Sequence, residues 1–153
     1  MSNPELKTSL EGFQAAYKDL YHVVSHYPQA LRTASGACGV WSPREVLAHL
    51  SGWLVEAEAR YRLYEKEPEP APKRYDFDTF NAESVEARAD LTWEETLNEL
   101  RANEATLLAH LERVLKRATA PYKGYAAWLD ALARDCREHT GQLRAFARGE
   151  DGA

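Results

Sequence analysis

The sequence predicts an all-α protein, a four-helix bundle with one long crossover connection and a short extra helix. Three observations carry that expectation. Apolar residues recur at spacings of three and four through four long segments, the period of one helix face. Two capping boxes mark where two of these segments begin. No stretch alternates apolar and polar residues in the two-residue rhythm of a half-buried strand. At 153 residues the chain is close to the usual size of one domain, and residues 1–153 are read as a single bundle.

The first helix is expected over about Pro4 to His26. Leu6, Leu10, Phe13, Tyr17, Leu20 and Val24 make one apolar stripe along it, and Pro28 with the turn-rich "TASGACG" ends it. The second helix starts at Ser42, Pro43 and Glu45, which supply the N-cap, the first-turn proline and the capping-box acid in order. Val46, Leu50, Trp53, Ala57 and Tyr61 carry its apolar face to about Glu65. Pro68, Pro70 and Pro72 in "EKEPEPAPKRYDF" then remove donors and fix the backbone, so an ordered loop or extended crossover follows.

A short helix is expected near Asp78 to Arg88. Thr92 and Glu95 open the next long helix, which runs to about Arg117 with Trp93, Leu97, Leu100, Leu107, Leu111 and Val114 inside. After the "ATAPYKGY" turn, the last helix spans about Tyr125 to Arg148 and stops at Gly149.

Composition narrows the function. A hydrophobic fraction of 44% beside 28% charged residues fits an ordinary globular chain. The net charge of −5, with Lys and Arg scattered, offers no basic stripe to displace counterions, so nucleic acid is not expected as a partner. No apolar run approaches membrane-spanning length and "MSNPELKTSLEGF" lacks the apolar core of a secretory signal; the expectation is a cytoplasmic protein without a membrane partner. Two cysteines, Cys38 and Cys136, are too few for a disulfide framework.

The last helix holds the chemistry. Its expected core line runs Trp128, Leu132, Asp135, His139, Leu143 and Phe146. At about 100° per residue, Asp135 and His139 fall within roughly 20° of the direction set by Trp128 and Phe146. A carboxylate and an imidazole thus stand where the pattern asks for leucine, and a buried carboxylate needs a partner. One reading is a buried polar network; the other is a chelating pair, since i and i+4 side chains meet on one face. His49, on the flank of the second helix's stripe, is either a structural histidine or a ligand reaching across a seam.

Other candidates are weaker. His22 and His26 share the i, i+4 spacing but lie roughly 160–200° from their stripe, toward solvent. His110 is expected at the surface. Cys136 points about 100° away from Asp135, whose charge would raise its pKa, and Cys38 is read as a bystander in a flexible loop. Glu56 and Arg60 are candidates for orienting ligands or substrate, or more simply an exposed i, i+4 ion pair. No G-x-S-x-G, phosphate-cradling glycine loop or C-x-x-C occurs.

"VWSPREVLAHLSGWLVEAEARY" resembles the second-helix signature of the DinB-like (YfiT-like) superfamily of metal-dependent hydrolases and thiol transferases. "FDTFNAESVEARADLTWEETLNELRANEATLLAHLERV" is similar to that family's middle section, and "WLDALARDCREHTGQLRAF" to its last helix. The resemblance implies that His49 is the first metal ligand and that His139 matches the second histidine of an H-x-x-x-H pair. Asp135 stands where the family has the first histidine of that pair, a departure that bears on which metal is held and how tightly. The implied site is therefore His49, Asp135 and His139 around a divalent ion, whether zinc, nickel, iron or manganese. Catalysis would be hydrolysis or thiol transfer on a small electrophile, with a low-molecular-weight thiol as cosubstrate.

The chain also resembles the ClbS/DfsB-like proteins, which protect cells under stress and work without the histidine triad. A metal-free binding bundle is therefore the alternative, and a homodimeric scaffold without catalysis is the third. The residues alone leave these open.

Overall fold

In the computed structural model each helix but the last begins where a side chain takes over backbone N–H groups that a helix leaves unpaired. The structure describes residues 3–67 and 69–149. Asn3 caps α1 (Pro4–Val24) by accepting from the Leu6 N–H at 3.1 Å. Ser42 and Glu45 form the expected capping box of α2 (Pro43–Lys66), and Asp76 caps α3 (Phe77–Glu86). Thr92 and Glu95 open α4 (Trp93–Leu115) in the same reciprocal way. The final helix, α5 (Gly124–Ala147), has no side-chain cap, and Gly149 ends it at φ +83°, a left-handed position that suits glycine.

The all-α architecture matches the expectation, and among the described residues the sole β-type pairing is an isolated bridge between Cys38 and Trp41. That bridge corrects the reading of this loop as flexible: Trp41 accepts from the Ala37 N–H and donates back to the Cys38 carbonyl, both at 2.9 Å. The first helix stops at Val24, the last residue of its stripe, rather than at the expected His26, and a 3₁₀ turn follows at Gln29–Leu31. Of the three prolines expected to break the chain after α2, Pro68 lies outside the described residues.

α1 packs mainly on α5, and α2 mainly on α4. All six stripe residues of α1 are buried, joined by Leu97, Leu100, Leu107 and Leu111 of α4. Along α2, Glu58 and then Glu65 pair with His110 and then Arg117, so α2 and α4 run parallel. A parallel pair needs a connection that returns to the starting end, and the segment carrying α3 is that crossover. By contrast His49 pairs with Asp135 and Tyr61 with Tyr125, so α2 and α5 are antiparallel.

Two expectations about faces are corrected. Of the expected α5 line Leu132, His139 and Leu143 are buried, but burial centres on Leu129, Ala133, Cys136, Thr140 and Leu143, one step round from the Trp128–Phe146 direction. The reason is that α5 turns its centre toward α1, leaving Trp128 and Asp135 on the shoulder that faces α2. His110 is not at the surface: it is 3% exposed, with Nδ1 at 3.2 Å from Glu58 Oε2 and Nε2 at 2.8 Å from Glu65 Oε1. Arg117 and Tyr125 complete that cluster on Glu65.

The crossover is tied to α2 by polar contacts. Arg60 donates to the Ala71 carbonyl at 2.8 Å, and Glu56 accepts from Lys73 at 2.8 Å and from the Tyr75 hydroxyl. These bonds replace the ion pair expected between Glu56 and Arg60. Behind them, Gly52 of α2 lies so close to Ser84 that a Cβ on it would overlap the serine's Oγ and Cβ. Among the described residues no helix is long and apolar enough to cross a membrane.

Two outcomes follow for stability. Gly52→Ala gains helix propensity on α2, but overlap with Ser84 should cost about 1–3 kcal/mol net in urea unfolding, and Ser84→Gly should recover most of that loss. An unchanged midpoint would mean α3 shifts freely.

Burial alone would raise the Glu65 pKa. Hydrogen bonds with Arg117, His110 and Tyr125 outweigh it and lower the value from the usual 4.5 to about 2. A depressed carboxylate stabilises the fold above its unfolded pKa and loses that contribution as pH falls toward its folded one. With 28% of the side chain exposed, solvent screening holds the effect to at most about 2 kcal/mol. Wild type should therefore lose stability between about pH 5 and pH 2 more steeply than Glu65→Gln, the two converging at the acid end.

Candidate metal centre

A carboxylate inside a helical bundle has to find donors, and Asp135 finds two from two different helices. Its Oδ2 lies 3.1 Å from His49 Nε2 on α2, and its Oδ1 lies 3.2 Å from His139 Nε2 one turn along α5. The two imidazoles meet edge-on, their centroids 4.9 Å apart at 78°. His49 is 4% exposed and His139 7%, while Asp135 keeps more surface because it borders a cavity. One nitrogen from each histidine and one Asp135 oxygen all lie within 4.8 Å of one another.

The surroundings orient these groups. Trp41, held by its bridge to Cys38, packs its ring 5.0 Å from that of His49. His139 Nδ1–H donates to Gln142 Oε1 at 2.6 Å. Burial alone would favour a neutral Asp135, but its hydrogen bonds with His139 and His49 outweigh that and hold its carboxyl well below the usual range. Burial likewise favours a neutral His139, yet the Asp135 carboxylate and Gln142 raise its pKa.

The donor set fits a divalent cation. With Nδ1–H committed to Gln142, a neutral His139 turns the lone pair of Nε2 toward the Asp135 carboxylate, acceptor against acceptor. Either an added proton or a cation must lie between them. Two imidazole nitrogens and one carboxylate oxygen, buried on one side and open to a cavity on the other, form a suitable cradle. Against this, His49 Nδ1 is buried with no hydrogen-bond partner among the described residues, whereas ligating imidazoles ordinarily anchor their second nitrogen.

The cavity holds about 500 Å³ between α2, α3, α5 and the crossover. His49 and Asp135 form its polar corner, and Trp53, Tyr75, Phe77 and Trp128 much of its wall. Trp53 is the centre of that wall, 4.1 Å from Phe80, 5.1 Å from Tyr75 and 6.1 Å from Trp128 between centroids.

The other sequence candidates lie elsewhere. His22 and His26 face solvent, and His110 sits in the Glu58–Glu65 cluster. Cys136 turns away, its thiol 3.5 Å from the Ala16 carbonyl, and burial first, with Asp135 adding, pushes its pKa up to about 12. Glu56 and Arg60 hold the crossover and reach none of the three candidate ligands. Cys38 is better placed than expected: burial raises its pKa, and a hydrogen bond from Gln142 works the other way. Gln142 and Asn81 were not read from the sequence, and Gln142 alone of the two carried a signal, lying three residues after His139 on one helix; Trp41 entered only as part of the second-helix signature, with no role given to it.

A family model described as the mycothiol maleylpyruvate isomerase N-terminal domain matches residues 13–143. The crystal structure of an uncharacterised protein from Escherichia coli UTI89 superposes with a TM-score of 0.77. It covers 94% of this chain and 93% of its own, at 12% identity, a likeness of fold. No curated protein matches the chain.

The polar corner makes one stability prediction. Asp135→Ala in chelator-treated protein leaves two buried imidazoles without their shared carboxylate, and should lower stability by about 1–2 kcal/mol in urea unfolding. No change would mean that the imidazoles do not depend on Asp135.

Proposed function

The chain belongs to the family of the mycothiol maleylpyruvate isomerase N-terminal domain, a DinB/YfiT-like helical bundle, and on that premise we propose that it is a metal-dependent enzyme acting on a small electrophile. The ion would be divalent and held by His49, Asp135 and His139. The observation that carries this reading is the convergence of three ligand atoms within 4.8 Å of one another, with His139 Nε2 turned toward a carboxylate it cannot satisfy as a neutral ring.

A divalent ion in this position supplies Lewis acidity, which polarises a water or thiol and lowers its pKa toward neutrality. The protein's own groups do the rest. Asp135 joins the imidazoles of α2 and α5 and sets their separation. Gln142 fixes which nitrogen of His139 faces the site, and Trp41 packs the His49 ring in place. Trp53 and Trp128 exclude water from the adjacent wall, which strengthens electrostatic interactions at the corner. The reaction is hydrolysis or thiol transfer, and the family description favours a low-molecular-weight thiol as cosubstrate.

A metal-free binding bundle is the second reading, and the unpartnered His49 Nδ1 favours it. Elemental analysis of untagged protein separates the two. The metal reading expects near-stoichiometric zinc, nickel, iron or manganese, lost at least about tenfold in His49→Ala and Asp135→Ala, along with thiol consumption on electrophiles. Wild-type protein that takes up no metal after dialysis against these ions would sink it.

A further inference from the structure

The cavity wall has polar groups, but nearly all of them are already engaged. Trp128 Nε1–H donates to the Tyr64 hydroxyl at 3.0 Å, and the Tyr75 hydroxyl donates to Glu56. Trp53 Nε1–H donates to Asn81 Oδ1 at 2.8 Å. An indole N–H can only donate, so Asn81 must present its oxygen to Trp53 and turn its NH2 the other way. That NH2 has no hydrogen-bond partner among the described residues, and Asn81 lines the cavity. No Lys or Arg lines it; Lys73, which lies over the Tyr75 ring, is paired with Glu56 at 2.8 Å.

Away from the His49–Asp135 corner, then, the cavity offers aromatic faces and one amide donor. An anionic ligand would leave water for a wall with no counter-charge, a costly exchange. A flat ring gains stacked or edge-on contact with Trp53 and Trp128. We propose that the site selects an uncharged aromatic molecule bearing one acceptor oxygen, received by Asn81 Nδ2, with its reactive end at the His49–Asp135 corner. This inference rests on the reading of the cavity as the substrate site; it adds the substrate class and names Asn81 as the residue that sets it.

The substitution that tests the donor is Asn81→Asp, which keeps an oxygen for Trp53 and replaces the NH2 with a charged oxygen that can only accept, ethylbenzene serving as the control for the added charge. Three probes test the selection: acetophenone, ethylbenzene of similar shape without the acceptor, and the anion benzoate. Binding is read from tryptophan fluorescence and calorimetry, in protein as purified and after EDTA treatment.

Acetophenone should bind tightest and, in EDTA-treated protein, benzoate weakest. Asn81→Asp should weaken acetophenone about five- to tenfold while leaving ethylbenzene within about twofold. Equal affinity for acetophenone and ethylbenzene, a preference for benzoate in EDTA-treated protein, or acetophenone binding untouched by Asn81→Asp would each overturn the proposal. The two readings fail separately: absence of metal uptake leaves the probe affinities in EDTA-treated protein standing, and loss of probe selectivity leaves metal stoichiometry unchanged.

Discussion

Between α2 and α5 the bundle does not close with hydrocarbon. Asp135 lies on the shoulder of α5, and a carboxylate there is tolerable only if donors reach it from outside its own helix. His49 supplies the reach across, and His139 braces it from one turn along. At the far end of the same seam, Tyr61 donates to the Tyr125 carbonyl and Trp128 to the Tyr64 hydroxyl. The helices are thus bonded at both ends and spread in the middle, and that spread is the cavity. The hydrophobic core lies in the other two interfaces, α1 on α5 and α2 on α4, which leaves this seam free to be polar.

Among the described residues, buried histidines contact carboxylates at two sites, and the sites differ in a telling way. His110 has both ring nitrogens against carboxylates, with Arg117 and Tyr125 completing the cluster on Glu65. Arg117 already supplies a cation to that cluster. At the other site a single carboxylate serves two imidazoles, one nitrogen is left without a partner, and the carboxylate borders open space. The first cluster joins α2 to α4; the second has capacity left over, which is what a binding site needs.

What could be read from the sequence follows from how local each signal is. The capping boxes at Ser42–Glu45 and Thr92–Glu95 involve residues three apart, and both helix starts stand where they were expected. Asp135 and His139 stood out because polar groups interrupted an apolar period. The centre of that period was misjudged by one position, since a rotation count does not say which neighbouring helix the face meets. His110 was misplaced for a related reason: Glu58 and Glu65, the groups that permit its burial, are on another helix. Trp41 was visible only as part of the second-helix signature and Asn81 not at all, because their roles arise only when a loop bridge and a short helix are docked against α2.

The parallel course of α2 and α4 forces a long return path, and that path builds one wall of the cavity with Tyr75, Phe77 and Asn81. The residues at the polar corner, by contrast, come from α2 and α5 alone. The polar corner and this one wall are therefore written in separate stretches of the gene, although Trp53 and Trp128 of the opposite walls share their helices with the corner. Tyr75, Phe77 and Asn81 can change in kind while the helices bearing His49, Asp135 and His139 stay as they are. A bundle of this kind can change what it accepts without relearning what it does.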